Sequence, residues 1–237
     1  DLMAPGRLAK SVAFLDAHAD CVLVAGAFRA IDAAGETLAI VRPPTEPDRI
    51  AEILPLNNPV CHSSVTVRRD VLQQLGGYRE ALRYSHDYDM VLRTAERGRI
   101  AILPDLLADY RFHLDNISAA RALLQASYAD VARRCASRRA AGEAEELEKQ
   151  VAAIDVSGED SSPRRALGRV HYQIGEWMFL DNRIREARPH FFKALLAEPL
   201  RPLCLGLNIA AWTPAWLRRV LAPVVRPFVA RRYPRWA

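Results

Sequence analysis

The 237 residues hold 33 Lys and Arg against 28 Asp and Glu, a formal charge of +5, with half of the residues hydrophobic. That balance excludes a collagen-like or wholly disordered chain, and it lacks the clustered basic excess of a dedicated nucleic-acid binder while suiting an anionic ligand or surface. Cys21, Cys61, Cys135 and Cys204 lie far apart with no CxxC pair, which argues against zinc and disulfide scaffolds and for a reducing cytosol, and no run of about 18 uncharged apolar residues could span a bilayer.

Pro5 suits a first helical turn, and Leu8, Val12 and Leu15 follow at helical spacing to His18. Cys21 to Phe28 is a buried-strand run continuing to Asp32. Ala34-Gly35-Glu36 then turns the chain back through Thr37 to Val41 as a hairpin. A Pro-rich loop over 42–47 precedes a short helix at 48–54. Val60 to Arg68 reads as a strand, and Asp70 to Leu75 as a helix stopped by Gly76-Gly77. Asp87 to Arg97 is amphipathic and ends at Gly98; Arg99 to Tyr110 is extended and predicted to break at Pro104. Alternating strands and helices over this part predict α/β layering.

From Ile117 to about Val151 the chain reads as helical, with Glu143, Glu145, Glu146 and Glu148 as a solvated acidic stretch. Residues 155–163 read as a linker, polar and turn-rich. Arg164 to Leu180 and Ile184 to Leu196 read as two helices around a short Asp181-Asn182 turn. The pair is the size of one tetratricopeptide-like hairpin and equally suits an ordinary bundle. In the tail, Trp212, Trp216, Phe228, Tyr233 and Trp236 alternate with arginines. They fit either an interfacial segment on an anionic membrane leaflet or a final packed helix kept short by Pro214, Pro223 and Pro227.

The densest polar cluster is Tyr84-Ser85-His86-Asp87-Tyr88-Asp89. Asp87 stands near a helix start, where exposed N–H groups and the dipole favour a carboxylate. It can serve as a cap, or as an ionised, aimed general base. Asp89 points elsewhere on the helix and suits an i,i+4 pair with Arg93.

Several motifs stand in register around this cluster. Asn58-Pro59-Val60-Cys61-His62-Ser63-Ser64 leads into Val71 to Tyr78 with its Gly76-Gly77 pair. His86-Asp87, then Val91 to Gly98, then Tyr110-Arg111-Phe112-His113 and Ser118 follow. In order and spacing this resembles the distal half of the family 2 glycosyltransferases, inverting enzymes of GT-A fold. Asp1 to Leu8 resembles the end of that family's aspartate-rich metal motif and its Pro-x-Arg-Leu. The match covers about residues 1–118.

The resemblance implies a partial GT-A architecture over 1–118, a Rossmann-like mixed sheet with helices forming the distal half of the domain. The residue pattern beyond it predicts an all-α region, with 119–154 connecting helices, 155–163 the linker and 164–237 a helical region, tetratricopeptide-like or an ordinary bundle, with the basic tail. It implies that Asp87 deprotonates the acceptor hydroxyl, with His86 where the family usually has Glu. It also implies that Asn58, His62 and Ser63 lie on the acceptor side, that Arg111 faces the diphosphate and that His113 helps hold the metal or diphosphate. A Mn2+ or Mg2+ is implied, with its main ligands upstream of Asp1, so that the chain is expected to be an inactive fragment of a longer enzyme. The partners implied are a nucleotide-sugar donor and a glycan or lipid-linked acceptor, with no nucleic acid. The implied setting is cell-surface polysaccharide or lipopolysaccharide synthesis in a bacterial cytoplasm, with membrane association at the inner leaflet. The other reading is a protein-interaction module built on the C-terminal helices, beside a degenerate enzyme remnant.

Overall fold

A computed structural model describes residues 1–112, 122–154, 163–180, 183–198, 209 and 211–214. Two apolar strands organise it: β2 over Cys21–Ile31, buried along nearly its whole length, and β5 over Arg99–Arg111. Arg99 N–H donates to Asp20 O at one end and Phe112 N–H to Ile31 O at the other. Both partners advance together along the chain, so these two strands run parallel. The sheet order is β1 (Leu2–Met3), β5, β2, β3 (Thr37–Val41), and β4 (Thr66–Val67) pairs antiparallel with β2 outside that path. β1 pairs antiparallel with β5, Leu2 opposite Asp109. The fold is α/β with a mixed sheet, followed by an all-α region, as the sequence predicts.

The chain divides into two units. The first comprises Asp1–Phe28, Arg42–Asp109 and Arg121–Glu159. In it, α1 (Arg7–Ala17) starts after Gly6, whose φ of 73° only a residue without Cβ adopts cheaply. Its Leu15 packs with Cys21, Val24 and Ala101 on one face of the sheet. The other face sends Leu23, Ala25, Ile100 and Ile102 into the main core. There they meet Ile50 of α2 (Pro47–Ile53), Tyr88 and Val91 of α4 (His86–Ala95), and Tyr128, Val131 and Cys135 of α5 (Ala122–Ala140). Each such aliphatic side chain contributes about 1.5–3 kcal/mol by leaving water. Gly26 is required by packing: a Cβ there would lie 2.4 Å from Leu107 Cγ and 2.8 Å from Asp105 O.

Four expectations are corrected here. Residues 60–68 form a strand only at Thr66–Val67, and His62–Ser64 is a 3-10 turn. The cause is Ser64, fully buried, whose hydroxyl accepts from Gly26 N at 3.1 Å and donates to Cys61 O at 2.8 Å, drawing the loop out of the ladder. β5 runs unbroken through Pro104, which is exposed and whose fixed φ an extended chain tolerates. The helix predicted to reach Val151 breaks between α5 and α6 (Leu147–Ala152), where Gly142 and Glu146 take φ of 72° and 52°. The acidic stretch in that break is not all solvated, because Glu145 pairs with Arg79 and Arg139.

The second unit comprises Arg29–Val41, Tyr110–Ala120 and Asp160–Ala237. Its described core joins Ala39 of β3 and Phe112 to Val170, Ile174 and Met178 of α7 (Pro163–Leu180) and to Ala187 and Phe191 of α8 (Ile184–Ala197). The two helices form the hairpin expected from the sequence. They pack closely because a Cβ on Gly168 would stand 2.5 Å from Ala197 Cβ, and one on Gly175 would stand 2.9 Å from the Phe191 ring. Pro189 lies inside α8.

Candidate functional site

The site assembles where three segments of the first unit meet: the turn carrying His62, the loop after α3 (Arg69–Gln74) carrying Tyr78, and the start of α4 carrying His86 and Asp87. Each segment is held from behind. Arg7 of α1 donates to the carbonyls of Ser63 at 2.6 Å and Val65 at 2.7 Å, and Ser64 ties the same turn to β2. α3 ends in a Schellman arrangement, Gly77 N–H donating to Leu72 O and Gly76 N–H to Gln73 O, with φ of 72° and 71°. Arg93 of α4 fastens that loop, donating to Leu75 O and Gly77 O, both at 2.8 Å.

Arg93 also carries the ion pair expected from its spacing, Nε to Asp89 Oδ2 at 2.8 Å, with Asp89 fully buried. From there charges alternate: Arg79 lies 3.7 Å from Asp89 and bonds Glu145, which is 2.9 Å from Arg139, which in turn bonds Glu96. Buried ions are tolerated only with such partners. The network fixes α4, and therefore the pair at its N-terminal turn.

The rings of His62, Tyr78 and His86 meet edge to face, with centroids 5.8, 6.2 and 5.4 Å apart and planes 82–89° to one another. These are favourable aromatic geometries. His86 Nδ1 lies 3.0 Å from Arg83 O, so the neutral ring carries its proton there and leaves Nε2 as an acceptor. The half-buried Asp87 acts on the same cluster. Crowding by neighbouring atoms pushes the His62 imidazole below its ordinary value, the Asp87 carboxylate works against that, and His86 and Arg7 add to it. The Tyr78 phenol is pushed up, by burial first and by Asp87 second. At neutral pH the cluster therefore offers a neutral imidazole and a neutral phenol. Cys61, beside His62, has its thiol pushed up to about 11 by burial and is no thiolate nucleophile.

The structure thus brings His62, His86 and Asp87 together. Ser63 lies in the same turn, its hydroxyl donating to the Asp1 carboxylate. Asn58 is spent locally, Oδ1 accepting from Val60 N at 3.1 Å in an Asx turn. Arg111 belongs to the second unit, where its guanidinium donates to the carbonyls of Asp32 at 2.9 Å and Ala33 at 2.8 Å, bracing the β2–β3 turn. His113, residues 155–162 of the expected linker, the expected Asp181-Asn182 turn and the tail from 215 lie outside the described residues, while Pro163 at the expected linker's end opens α7. Tyr78 joins the cluster without having been named as a site residue; an aromatic placed directly after the Gly76-Gly77 cap is the signal that could have found it.

Among the described residues no three His, Cys, Asp or Glu side chains converge as a metal ion requires, so they do not by themselves fit a divalent cation. No described helix is long and apolar enough to cross a membrane. The described cysteines, Cys21, Cys61 and Cys135, are free thiols.

No protein-family model matches the chain. No solved structure matches it either. Over 122 residues, 51% of this chain, it is 30% identical to the amylovoran biosynthesis glycosyltransferase AmsE of Erwinia amylovora. The match covers 45% of that protein, so the chain spans about half the length of the curated relative it matches. What this chain is similar to, over half of itself, is a glycosyltransferase.

Proposed function

We propose that the chain is the distal part of an inverting glycosyltransferase of family 2 and GT-A type, with Asp87 as the base. The observation that carries this reading is the meeting of Asp87 with His62, Tyr78 and His86 at the N-terminal turn of α4. The likeness to a glycosyltransferase supports it. The carboxylate takes the proton of an acceptor hydroxyl. That oxygen bonds to the anomeric carbon of a nucleotide-sugar donor as the bond to the diphosphate breaks, inverting the centre. The buried ion-pair network behind α4 keeps the carboxylate aimed. A Mn2+ or Mg2+ assisting the leaving diphosphate belongs to the proposal, with ligands other than the described residues; none of the steps assigned to this chain passes through it. The donor is a nucleotide-sugar and the acceptor a glycan or lipid-linked glycan, in surface-polysaccharide synthesis at the cytoplasmic side of a bacterial membrane.

The test is Asp87→Asn in the intact enzyme. Turnover falls by about 10²–10⁴-fold, the usual contribution of a positioned base, while donor binding, measured by calorimetry, stays within a factor of two or so. Wild-type turnover in that variant rejects the assignment. A second reading, a protein-binding module, draws support from the tightly packed α7–α8 hairpin. An Asp-x-Asp after a strand in the upstream sequence favours the enzyme, and its absence favours the module.

A further inference from the structure

Tyr78 is the large aromatic of the first unit that, among the described residues, stands out most, 44% exposed. An aromatic so exposed normally wavers among rotamers, but this one is braced from several sides. Two imidazoles stand perpendicular to it, at 5.8 and 5.4 Å. Its backbone follows two glycines locked by the Schellman bonds and by Arg93. A ring already ordered costs little further entropy when a ligand settles on it. Its surroundings are mixed: an apolar face, a carboxylate at Asp87, and imidazoles at His62 and His86 able to donate or accept.

That combination matches a sugar ring. One face of a pyranose presents axial C–H bonds, whose partial positive charge suits the negative face of an aromatic quadrupole, while its equatorial hydroxyls project sideways toward polar groups. A phosphate here would meet the charge of the Asp87 carboxylate, which acts on both His62 and Tyr78. We infer that Tyr78 is the platform on which a pyranose residue of the acceptor stacks, His62 and His86 holding the ring upright and directing the sugar's hydroxyls toward Asp87. The inference rests on the glycosyltransferase reading for the word acceptor, but the sugar-stacking surface stands or falls separately.

The chain itself allows the first measurement. Methyl hexopyranosides of gluco, galacto and manno configuration are titrated at millimolar concentration, with saturation-transfer NMR as readout. At least one shows transfer concentrated on the C–H protons of a single ring face, and loses it in Tyr78→Ala. Tyr78→Phe, which keeps the π face, retains it, and Tyr78→Leu, which keeps only apolar bulk, does not. Where Tyr78→Ala fails to give a folded spectrum, the Phe and Leu pair decides. In the intact enzyme, Tyr78→Ala raises the acceptor KM about tenfold, equivalent to about 1.4 kcal/mol, and leaves donor KM unmoved. The outcomes separate the two readings. Transfer activity with an acceptor KM indifferent to Tyr78 overturns the stacking inference alone. Sugar binding at Tyr78 without any transfer activity overturns the enzyme and leaves the sugar site. No one-sided transfer from any of the hexopyranosides overturns the platform.

Discussion

The two units hold themselves together by different means. In the first, charges are carried inside: Asp89 and Arg93 are buried as a pair, and Arg79, Glu145, Arg139 and Glu96 continue the alternation to the surface. In the second, the α7–α8 hairpin closes on small residues, Gly168 against Ala197 and Gly175 against Phe191. A buried ion pair contributes little net stability compared with a well-packed apolar replacement, yet it fixes geometry, since a charge out of place costs heavily. A glycine contact gains close approach and dispersion and fixes no direction. The unit with the candidate site is thus the one whose interior specifies where α4 must lie.

The sharpest way to break that contrast is to remove one charge. Asp89→Asn leaves Arg93 buried without its counter-ion and costs about 3–5 kcal/mol, read as a loss of unfolding free energy in urea. Asp89→Leu combined with Arg93→Met removes both ions and recovers a large part of that loss, while the transfer activity proposed for the intact protein stays low because the loop bearing Tyr78 has lost its tether. If the single and double variants are equally unstable, the network is not what holds the helix.

Glycine substitutions probe the other side of the comparison, with a smaller effect. Gly175→Ala brings a methyl to 2.9 Å from the Phe191 ring, and overpacking of this kind costs about 1–3 kcal/mol. Gly26→Ala in the first unit meets a backbone oxygen as well as Leu107 and falls at the upper end of the same range. The measurement is the denaturant midpoint of each variant. A Gly175→Ala protein as stable as wild type shows that the hairpin does not depend on close approach.

The same contrast governs what could be read from the sequence. The α/β alternation was legible because hydrophobic period and turn residues are local. The Gly76-Gly77 stop and the Asp89–Arg93 pair were legible because a cap and an i,i+4 contact need only a few neighbouring residues. The turn at His62–Ser64 was not, because its cause is a hydroxyl bond to Gly26, far away in the chain. Glu145 looked solvated for the same reason: its partners Arg79 and Arg139 come from other elements. Asp87 could be picked out by its place at a helix start. His62 and His86 were named with it through the family resemblance, but Tyr78 was not, since its meeting with them joins a turn, a loop and a helix start that only the fold brings together.

The second unit also carries ionisable groups that small-residue packing does not explain, the Arg169–Glu198 pair and two imidazoles, and pH tests the imidazoles. His171 Nδ1 and His190 Nδ1 lie 3.1 Å apart across the hairpin. One ring must therefore donate and the other accept, which requires at least one neutral imidazole. Burial, then His171, then Lys193 lower His190 from 6.5 to about 4, and burial followed by Lys193 lowers His171 as well. Both shifts favour the neutral forms in the folded state. Their contribution to stability is complete above the ordinary value of 6.5 and is lost as pH falls from there toward about 4. Thermal melts between pH 7 and pH 4 then show a steeper decline for wild type than for His190→Gln, whose side chain cannot charge. Parallel declines would mean that the two imidazoles take up protons in the folded hairpin as readily as in the unfolded chain, and that their close approach exerts no pull on their titration.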